Sequence, residues 1–446
     1  QARDTLTGLE AIDAAGRITA HGRRIVDLGV HPRLGHAMVR GTEAGRGGVA
    51  CLLAALLGER DVVRGTWGRQ SADVRLRLDL LVAAAAGQRT PAGEVDAAAV
   101  KRVLQQARLW QRRLGTGPVG EADIEAAGRL LAWAYPDRIG RLRAGTKTHY
   151  HLSNGRGAAV APSDGLAGQP FLVAAHVDDA PTNARIFLAA PVDEGDVVAV
   201  LGDQLTPVDV TEWDEQSGSV AAARRWVHGQ LVVREAPLRD PSPTQLGAAM
   251  LDGVRCRGLG ALPWTRETRA WRDRVAFLGR TFPEKDWPGM DDQALLDAAD
   301  PWLLPFLAGL RRAEQLRKLP LQSMLSTLLS FDQSRTLDQL APTHLQVPSG
   351  SRIRLEYGVG ETPVLAVRIQ EVFGLLETPR VAGGRVAIVV HLLSPAQRPV
   401  QVTQDLASFW ANGYPQVRKD LRGRYPKHAW PEDPHDASPT RRTRSR

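Results

Sequence analysis

The chain has 446 residues, with 57 Lys/Arg against 49 Asp/Glu, a net charge of +8 at pH 7 and 43% hydrophobic residues. That apolar content excludes a wholly disordered chain, and no apolar run is long enough to span a bilayer. Only Cys51 and Cys256 occur, without a Cys-x-x-Cys, so no disulfide framework or zinc ribbon follows, and a reducing cytoplasm fits.

A prior of about 150 residues per domain suggests about three domains. The chain opens Gln1-Ala-Arg-Asp4 without a Met, in helix-like sequence, as the C-terminal part of a longer protein would. Leu6–Arg40 reads as helix, turn, helix. Asp13-Ala-Ala-Gly16 ends the first run, Thr19-Ala-His-Gly-Arg23 opens another, and His31-Pro-Arg33 closes it. Gly47 to Arg141 is mainly helical, with a Leu/Ala-rich buried segment at Ala50–Leu57. Asp96 is a candidate N-cap for the clearest helix, in which Val100, Val103, Ala107, Trp110 and Leu114 recur at helical spacing. Lys101, Arg108 and Arg112 fall on one edge beside that apolar stripe, within an arc of about 40°. The strip is either a phosphate-facing edge or a solvated flank.

From His149 to about Arg234 the period changes. Short β-like runs at Phe171–Val177, Arg185–Ala190, Val197–Leu201, Val208–Val210, Val220–Val227 and Leu231–Val233 are separated by Gly, Pro and Asp. Asn154-Gly155 predicts a hairpin between Tyr150–Leu152 and Ala158–Ala161. So many short strands suggest a small OB-like barrel. Its entrance, Arg138, Arg141, Arg143, Lys147 and Arg156, holds no acid; Pro191–Ala223 holds eight acids and no base. Arg143, Lys147 and Arg156 flank the hairpin and could share one strand of phosphate backbone. His149 and Tyr150 are candidates to stack on a base. The acidic stretch is expected to face away from such a strand, or simply to be a solvated surface.

The last segment opens with the capping-box sequence Ser242-Pro-Thr-Gln245. Helices follow around Leu246–Val254, Trp271–Leu278, Trp302–Leu310 and Leu321–Leu329. Strands follow at Arg352–Tyr357, Val364–Gln370, Val386–Leu392 and Val400–Thr403. Between Ala411 and Arg446 there are nine basic and four acidic residues, interleaved with Tyr425, His428 and Trp430. Such a tail suits a polyanion with exposed bases, with Arg424 and Lys427 as candidate contacts. Most tryptophans sit in apolar contexts and are expected in cores; Tyr425 and Trp430 are expected to be exceptions.

Gly140-Arg-Leu-Arg-Ala-Gly-Thr-Lys-Thr148 looks like a phosphate-binding loop, but Thr146 separates Gly145 from Lys147 and breaks the spacing. No Asp-Glu-x-His box occurs. His149 and His151 share a face but have no third ligand in register, so no metal is expected. No catalytic residue is expected.

Several stretches resemble the bacterial HrpB-type DEAH-box RNA helicases. They are Ala14-Ala-Gly-Arg-Ile-Thr-Ala-His-Gly22 with His31-Pro-Arg-Leu34, Leu152-Ser-Asn-Gly-Arg-Gly-Ala158, Leu340-Ala-Pro-Thr-His-Leu-Gln-Val-Pro-Ser-Gly350, Leu365-Ala-Val-Arg-Ile-Gln-Glu-Val-Phe-Gly374, and the tail from Leu392 to Pro434. The resemblance implies a multidomain α+β chain. Its expected parts are a winged-helix remnant (1–42), a helicase-associated ratchet bundle (43–143), an OB-like barrel (144–238), a family-specific mixed α+β domain (239–434) and a disordered basic tail (435–446). It also implies an ATP-dependent parent acting on single-stranded RNA. The parent's two RecA-like motor domains, which hold ATP and magnesium, would lie before Gln1. No cofactor is expected in this chain itself, and its expected partners are single-stranded RNA and that motor, with no membrane. The alternative is a protein-interaction or regulatory docking module.

Overall fold

The computed structural model describes residues 2–63, 71–88, 95–180, 183–358, 360–435 and 437–441. They form two units, residues 1–210 with 223–239, and residues 211–222 with 240–446.

The first unit begins with helices α1 (Ala2–Gly8), α2 (Ala20–Asp27), α3 (Pro32–Glu43), α4 (Gly47–Leu57), α5 (Val74–Ala85), α6 (Ala97–Leu114) and α7 (Ala127–Ala134). His31-Pro32 does not merely end α2. The imidazole of His31 accepts from Arg33 N–H and caps α3, with Pro32 in its first turn. Asp96 caps α6 through the amides of Ala98 and Ala99, at 3.0 and 3.1 Å. Val100, Val103, Ala107 and Trp110 of α6 are buried against α4, Leu78 and Leu81. The Trp110 indole donates to the Leu28 carbonyl at 3.1 Å.

Five strands then close a barrel in the order β1-β2-β3-β5-β4: β1 (Ile139–Leu142), β2 (His149–Leu152), β3 (Gly157–Ala159), β4 (Phe171–Val177) and β5 (Ala184–Pro191). The β3–β5 pair is parallel, and β1 closes on β4 antiparallel. The barrel therefore starts at Ile139, before the boundary expected at residue 144. Its interior is Tyr150 and Leu152 against Leu166, Leu172, Ile186 and the small Ala158, Ala174, Ala184 and Ala189. One ring surrounded by alanines is how a narrow barrel fills its taper.

Two expectations fail beyond β5. Val197–Leu201 is no strand but part of helix α8 (Glu194–Leu201), because Asp193 caps it by accepting from Asp196 N–H at 2.7 Å. A short apolar run fits either element, and the cap decides. The later strands, β6 (Thr206–Asp214), β7 (Ser219–His228) and β8 (Leu231–Pro237), form a separate sheet in the order β6-β7-β8. They cannot extend a barrel that is already closed.

The second unit carries helices α9 (Pro243–Arg257), α10 (Arg266–Thr281), α11 (Asp292–Asp297), α12 (Ala299–Trp302), α13 (Leu304–Leu307), α14 (Leu321–Ser326) and α15 (Phe331–Leu340). Ser242 and Gln245 form the expected reciprocal cap, at 3.2 and 3.3 Å. Strands β9 (His344–Gln346), β10 (Arg352–Glu356), β11 (Val364–Arg368), β12 (Arg380–Val381), β13 (Val386–Ala387), β14 (Val389–Leu393) and β15 (Pro399–Thr403) follow. They are succeeded by α16 (Leu406–Ser408) and α17 (Tyr414–Arg424). The main sheet runs β15-β14-β11-β10-β9, with β11 and β14 parallel. Trp302, Phe373, Trp410 and Tyr414 belong to the core. Trp430 joins them at 8% exposure, its indole bonded to Tyr425 O at 3.0 Å, so it is not the exposed aromatic its polar neighbours suggested. The expected loose tail is also held as far as it is described, Thr440 N–H donating to Gln370 O at 2.9 Å. Residues 442–446 lie outside the described residues.

Candidate nucleic-acid interface

Alternation along β2 decides which of its side chains can meet a ligand. His149 and His151 point outward and are half-buried, while Tyr150 and Leu152 fill the barrel. Tyr150 is fully buried, its hydroxyl donating to Leu166 O at 2.8 Å and Gln169 O at 3.0 Å. Burial holds that phenol up to about 12. The expected stacking of Tyr150 on a base is therefore excluded.

Cross-strand register builds the outer face. Arg141 lies opposite His151, and His151 opposite Gly157. His149 lies opposite Ala159, and Ala159 opposite Arg185. The outer face thus combines two imidazoles with Arg141 and Arg185, over the small residues Gly157 and Ala159. Arg185 stands 5.5 Å from the Phe187 ring centroid and Arg141 5.8 Å from that of Phe171. Arg141 also donates to Val232 O at 2.9 Å. Arg185 and Phe187 were not singled out from the sequence, yet the alternation Arg185-Ile-Phe-Leu188 already puts them on one face.

The β1–β2 connection supplies the nearest free cations. It is a tight turn with Gly145 at φ +75° and Thr146 Oγ1 donating to Arg143 O. The loop that resembled a phosphate-binding motif is therefore strand, turn, strand, with Gly140 inside β1. Arg143 and Lys147 are exposed on it. A Cβ on Gly157 would lie 2.9 Å from Arg143 Nη2, so this glycine lets the guanidinium lie across β3. Arg156 is different. Its Nη2 donates to Asp178 O at 2.9 Å and Ala180 O at 2.8 Å, so it ties the β2–β3 hairpin to the β4–β5 connection. Its charge remains, but its donors are partly committed.

The other expected residues lie elsewhere. Lys101, Arg108 and Arg112 are exposed along α6, with Val103, Ala107 and Trp110 buried beneath. Their neighbours Arg102 and Arg113 are engaged, with Glu59 at 2.9 Å and Asp27 O at 3.0 Å. Arg424 and Lys427 are exposed in the second unit, at and beyond the end of α17. Among the described residues no group of three or more His, Cys, Asp or Glu could hold a metal ion. No described helix is long and apolar enough to cross a membrane.

Acidic residues line a different place in the first unit. A cleft of about 780 Å³ is lined by Asp193, Glu194 and Asp196 together with Arg46, Arg129 and Trp133. Burial, and then Asp193 beside it, raise the Asp196 carboxyl above its ordinary value. Arg129 sits 5.0 Å from the Trp133 ring centroid and 3.5 Å from Asp196.

The class is set by two family matches. Residues 302–434 match the C-terminal domain of ATP-dependent helicases of the HrpB type, and residues 204–238 match the connector region of the ATP-dependent RNA helicase HrpB. The chain thus matches the C-terminal part of HrpB-type helicases. It is 38% identical over 430 residues to the ATP-dependent RNA helicase HrpB of Escherichia coli, covering 96% of this chain and 50% of that protein. The crystal structure of the E. coli DExH-box NTPase HrpB aligns at 37% identity and a TM-score of 0.47, over 99% of this chain and 52% of that one. A second, of the Escherichia coli DEAH/RHA helicase HrpB, aligns at 33% identity and a TM-score of 0.42, over 96% and 51%. The chain thus spans about half the length of the relatives it matches.

Proposed function

We propose that this chain binds and guides single-stranded RNA as the C-terminal accessory region of an ATP-dependent DEAH-box helicase. The observation that carries the reading is the outer barrel face, where Arg141, Arg143, Lys147, His149, His151 and Arg185 gather, the acid beside them being Asp178, whose Oδ1 accepts the Arg185 backbone N–H at 3.0 Å. Cations track a phosphate backbone, and the Phe187 ring and the imidazoles offer flat surfaces to bases. The strand order β1-β2-β3-β5-β4 with a parallel β3–β5 pair supports an OB-like barrel, whose strand 2–3 face and first loop commonly take oligonucleotides. In this reading α1–α3 are the winged-helix remnant (1–42) and α4–α7 the ratchet bundle (43–143). The C-terminal domain (239–434) adds Arg424 and Lys427. The RecA-like motor would supply ATP and magnesium, and the cytoplasm is the proposed compartment.

The acid-walled cleft favours a second reading, in which the chain docks a protein partner. Salt separates the two. Fluorescence anisotropy of a labelled oligo(rU) should give a steep salt dependence for the full chain. Arg143→Ala/Lys147→Ala/Arg185→Ala should weaken binding and reduce the log–log slope by about 2, at about 0.7 per phosphate contact on a single strand. An unchanged affinity and slope would reject the barrel face and favour docking.

A further inference from the structure

Three sequence stretches that the barrel does not use meet in the second unit. They are the Pro348–Ser351 turn, the Arg368–Glu371 segment and residues 437–441. β11 and β14 run parallel, with Arg368 opposite Leu393 at their carboxyl ends. Crevices beyond the carboxyl ends of parallel strands are common ligand sites, since chain departs there in different directions. Gln370 lies two residues beyond the end of β11. It is 3% exposed, and neither its Oε1 nor its Nε2 finds a hydrogen-bond partner. A buried amide left without partners is costly, which makes it a group waiting for a ligand.

The surroundings are cationic and shaped. Arg368 is half-buried at the strand end, with no ion pair among the described residues. It lies near enough to His428 to help depress that imidazole, after burial. Glu371 is buried but turned aside, accepting from Ser349 Oγ at 3.1 Å and from Ser351 Oγ. Those bonds lock the turn in which Gly350 has φ +78°. A Cβ on Gly350 would lie 3.2 Å from Arg441 Nη2, so Arg441 rests directly on that glycine. Residues 437–441 lie over Gln370, attached there by Thr440 N–H to Gln370 O at 2.9 Å.

We propose that the carboxyl ends of β11 and β14 form a second RNA subsite, in which Arg368 and Arg441 take phosphates and the Gln370 amide takes a ribose 2′-hydroxyl. The side-chain amide both donates and accepts, and so does a 2′-hydroxyl, which is the group that separates RNA from DNA. Arg441 travels with the covering segment, so the cover lifts to admit a nucleotide and recloses with its guanidinium on the phosphate. The site lies in a different unit from the barrel and stands independently of the barrel reading.

The test uses the full chain with labelled oligo(rU) and oligo(dU) of equal length. Arg368→Gln/Arg441→Gln is expected to weaken oligo(rU) binding about tenfold and to reduce the salt slope by about 1.4, two contacts at about 0.7 each. Gln370→Met, close in volume, is expected to remove the preference for ribose while thermal unfolding stays near wild type. Unchanged affinity and slope in the double arginine variant overturn the proposal, even where the barrel variant abolishes binding. A folded Gln370→Met that keeps its full ribose preference overturns the assignment of that residue. Should Gln370→Met fail to fold, the arginine pair alone decides. Loss in the arginine variant alone, with the barrel variant unchanged, would leave this subsite standing and the barrel reading rejected.

Discussion

His36 lies in α3 at 5% exposure, and its Nδ1 is 2.7 Å from His21 Nε2 of α2. Its other nitrogen bonds the Leu9 carbonyl, which can only accept. The arrangement that satisfies every group therefore has His21 Nε2–H donating to an unprotonated His36 Nδ1. Burial first, then His21 and Arg40, depress His36 from 6.5 to about 4, while Glu10 opposes weakly. Glu10 and Glu43 are themselves occupied by Arg40 and Arg24. The unfolded chain thus binds a proton that the folded chain refuses, so stability is fully present above about pH 6.5 and is lost as pH falls towards 4. A fall from 6.5 to about 4, at about 1.4 kcal/mol per pH unit, makes the loss about 3 kcal/mol. Native-state hydrogen exchange of α2 and α3 amides, measured from pH 7 to pH 4.5 after correction for intrinsic rates, reads this locally. His36→Phe should be less stable at pH 7, having lost two hydrogen bonds, and shallower across that window, keeping only the slope that His21, itself depressed by burial, contributes. A His36→Phe profile as steep as wild type would refute the reasoning.

Gly128 lets α7 approach the end of β5, and a Cβ there would lie 1.9 Å from Pro191 O. Gly128→Ala should cost about 2–3 kcal/mol and lower the melting of the first unit by several degrees, as differential scanning calorimetry can measure. Arg274 is buried and donates to Ala341 O at 2.6 Å, satisfying a carbonyl beyond α15, and reaches Asp338. Arg274→Ala should cost about 3 kcal/mol in chemical denaturation, because it leaves buried acceptors unpaired, whereas Asp338→Ala should cost under about 1 kcal/mol because that carboxylate is largely exposed. Trp430→Ala should cost about 3–5 kcal/mol and expose the chain after Tyr425 to limited proteolysis; an unchanged cleavage pattern would contradict its place in the core.

Local signals were enough wherever an element is decided by its own residues. Asp96 and Ser242 cap helices because their oxygens sit beside the first free amides. Asn154-Gly155 turns a hairpin because Gly155 accepts φ +88°. The edge of α6 follows from helical spacing alone. The resemblance to HrpB-type helicases was likewise legible in contiguous residues, and the family matches agree with it. What needed the folded chain were choices between partners distant in sequence. Whether Tyr150 or its histidine neighbours faces outward depends on which side of β2 the barrel closes, and one residue of register reverses the answer. Val197–Leu201 suits a strand as well as a helix until Asp193 caps it. Trp430 stands among polar and proline neighbours, yet the C-terminal chain turns it back onto Tyr425 and the core. Arg143 in the β1–β2 connection and Arg156 in the β2–β3 connection carry the same charge, but only the carbonyls of Asp178 and Ala180 decide which of them is tied down. Composition and spacing specify which groups are available; long-range pairing of backbone and core specifies which of them remain free to bind.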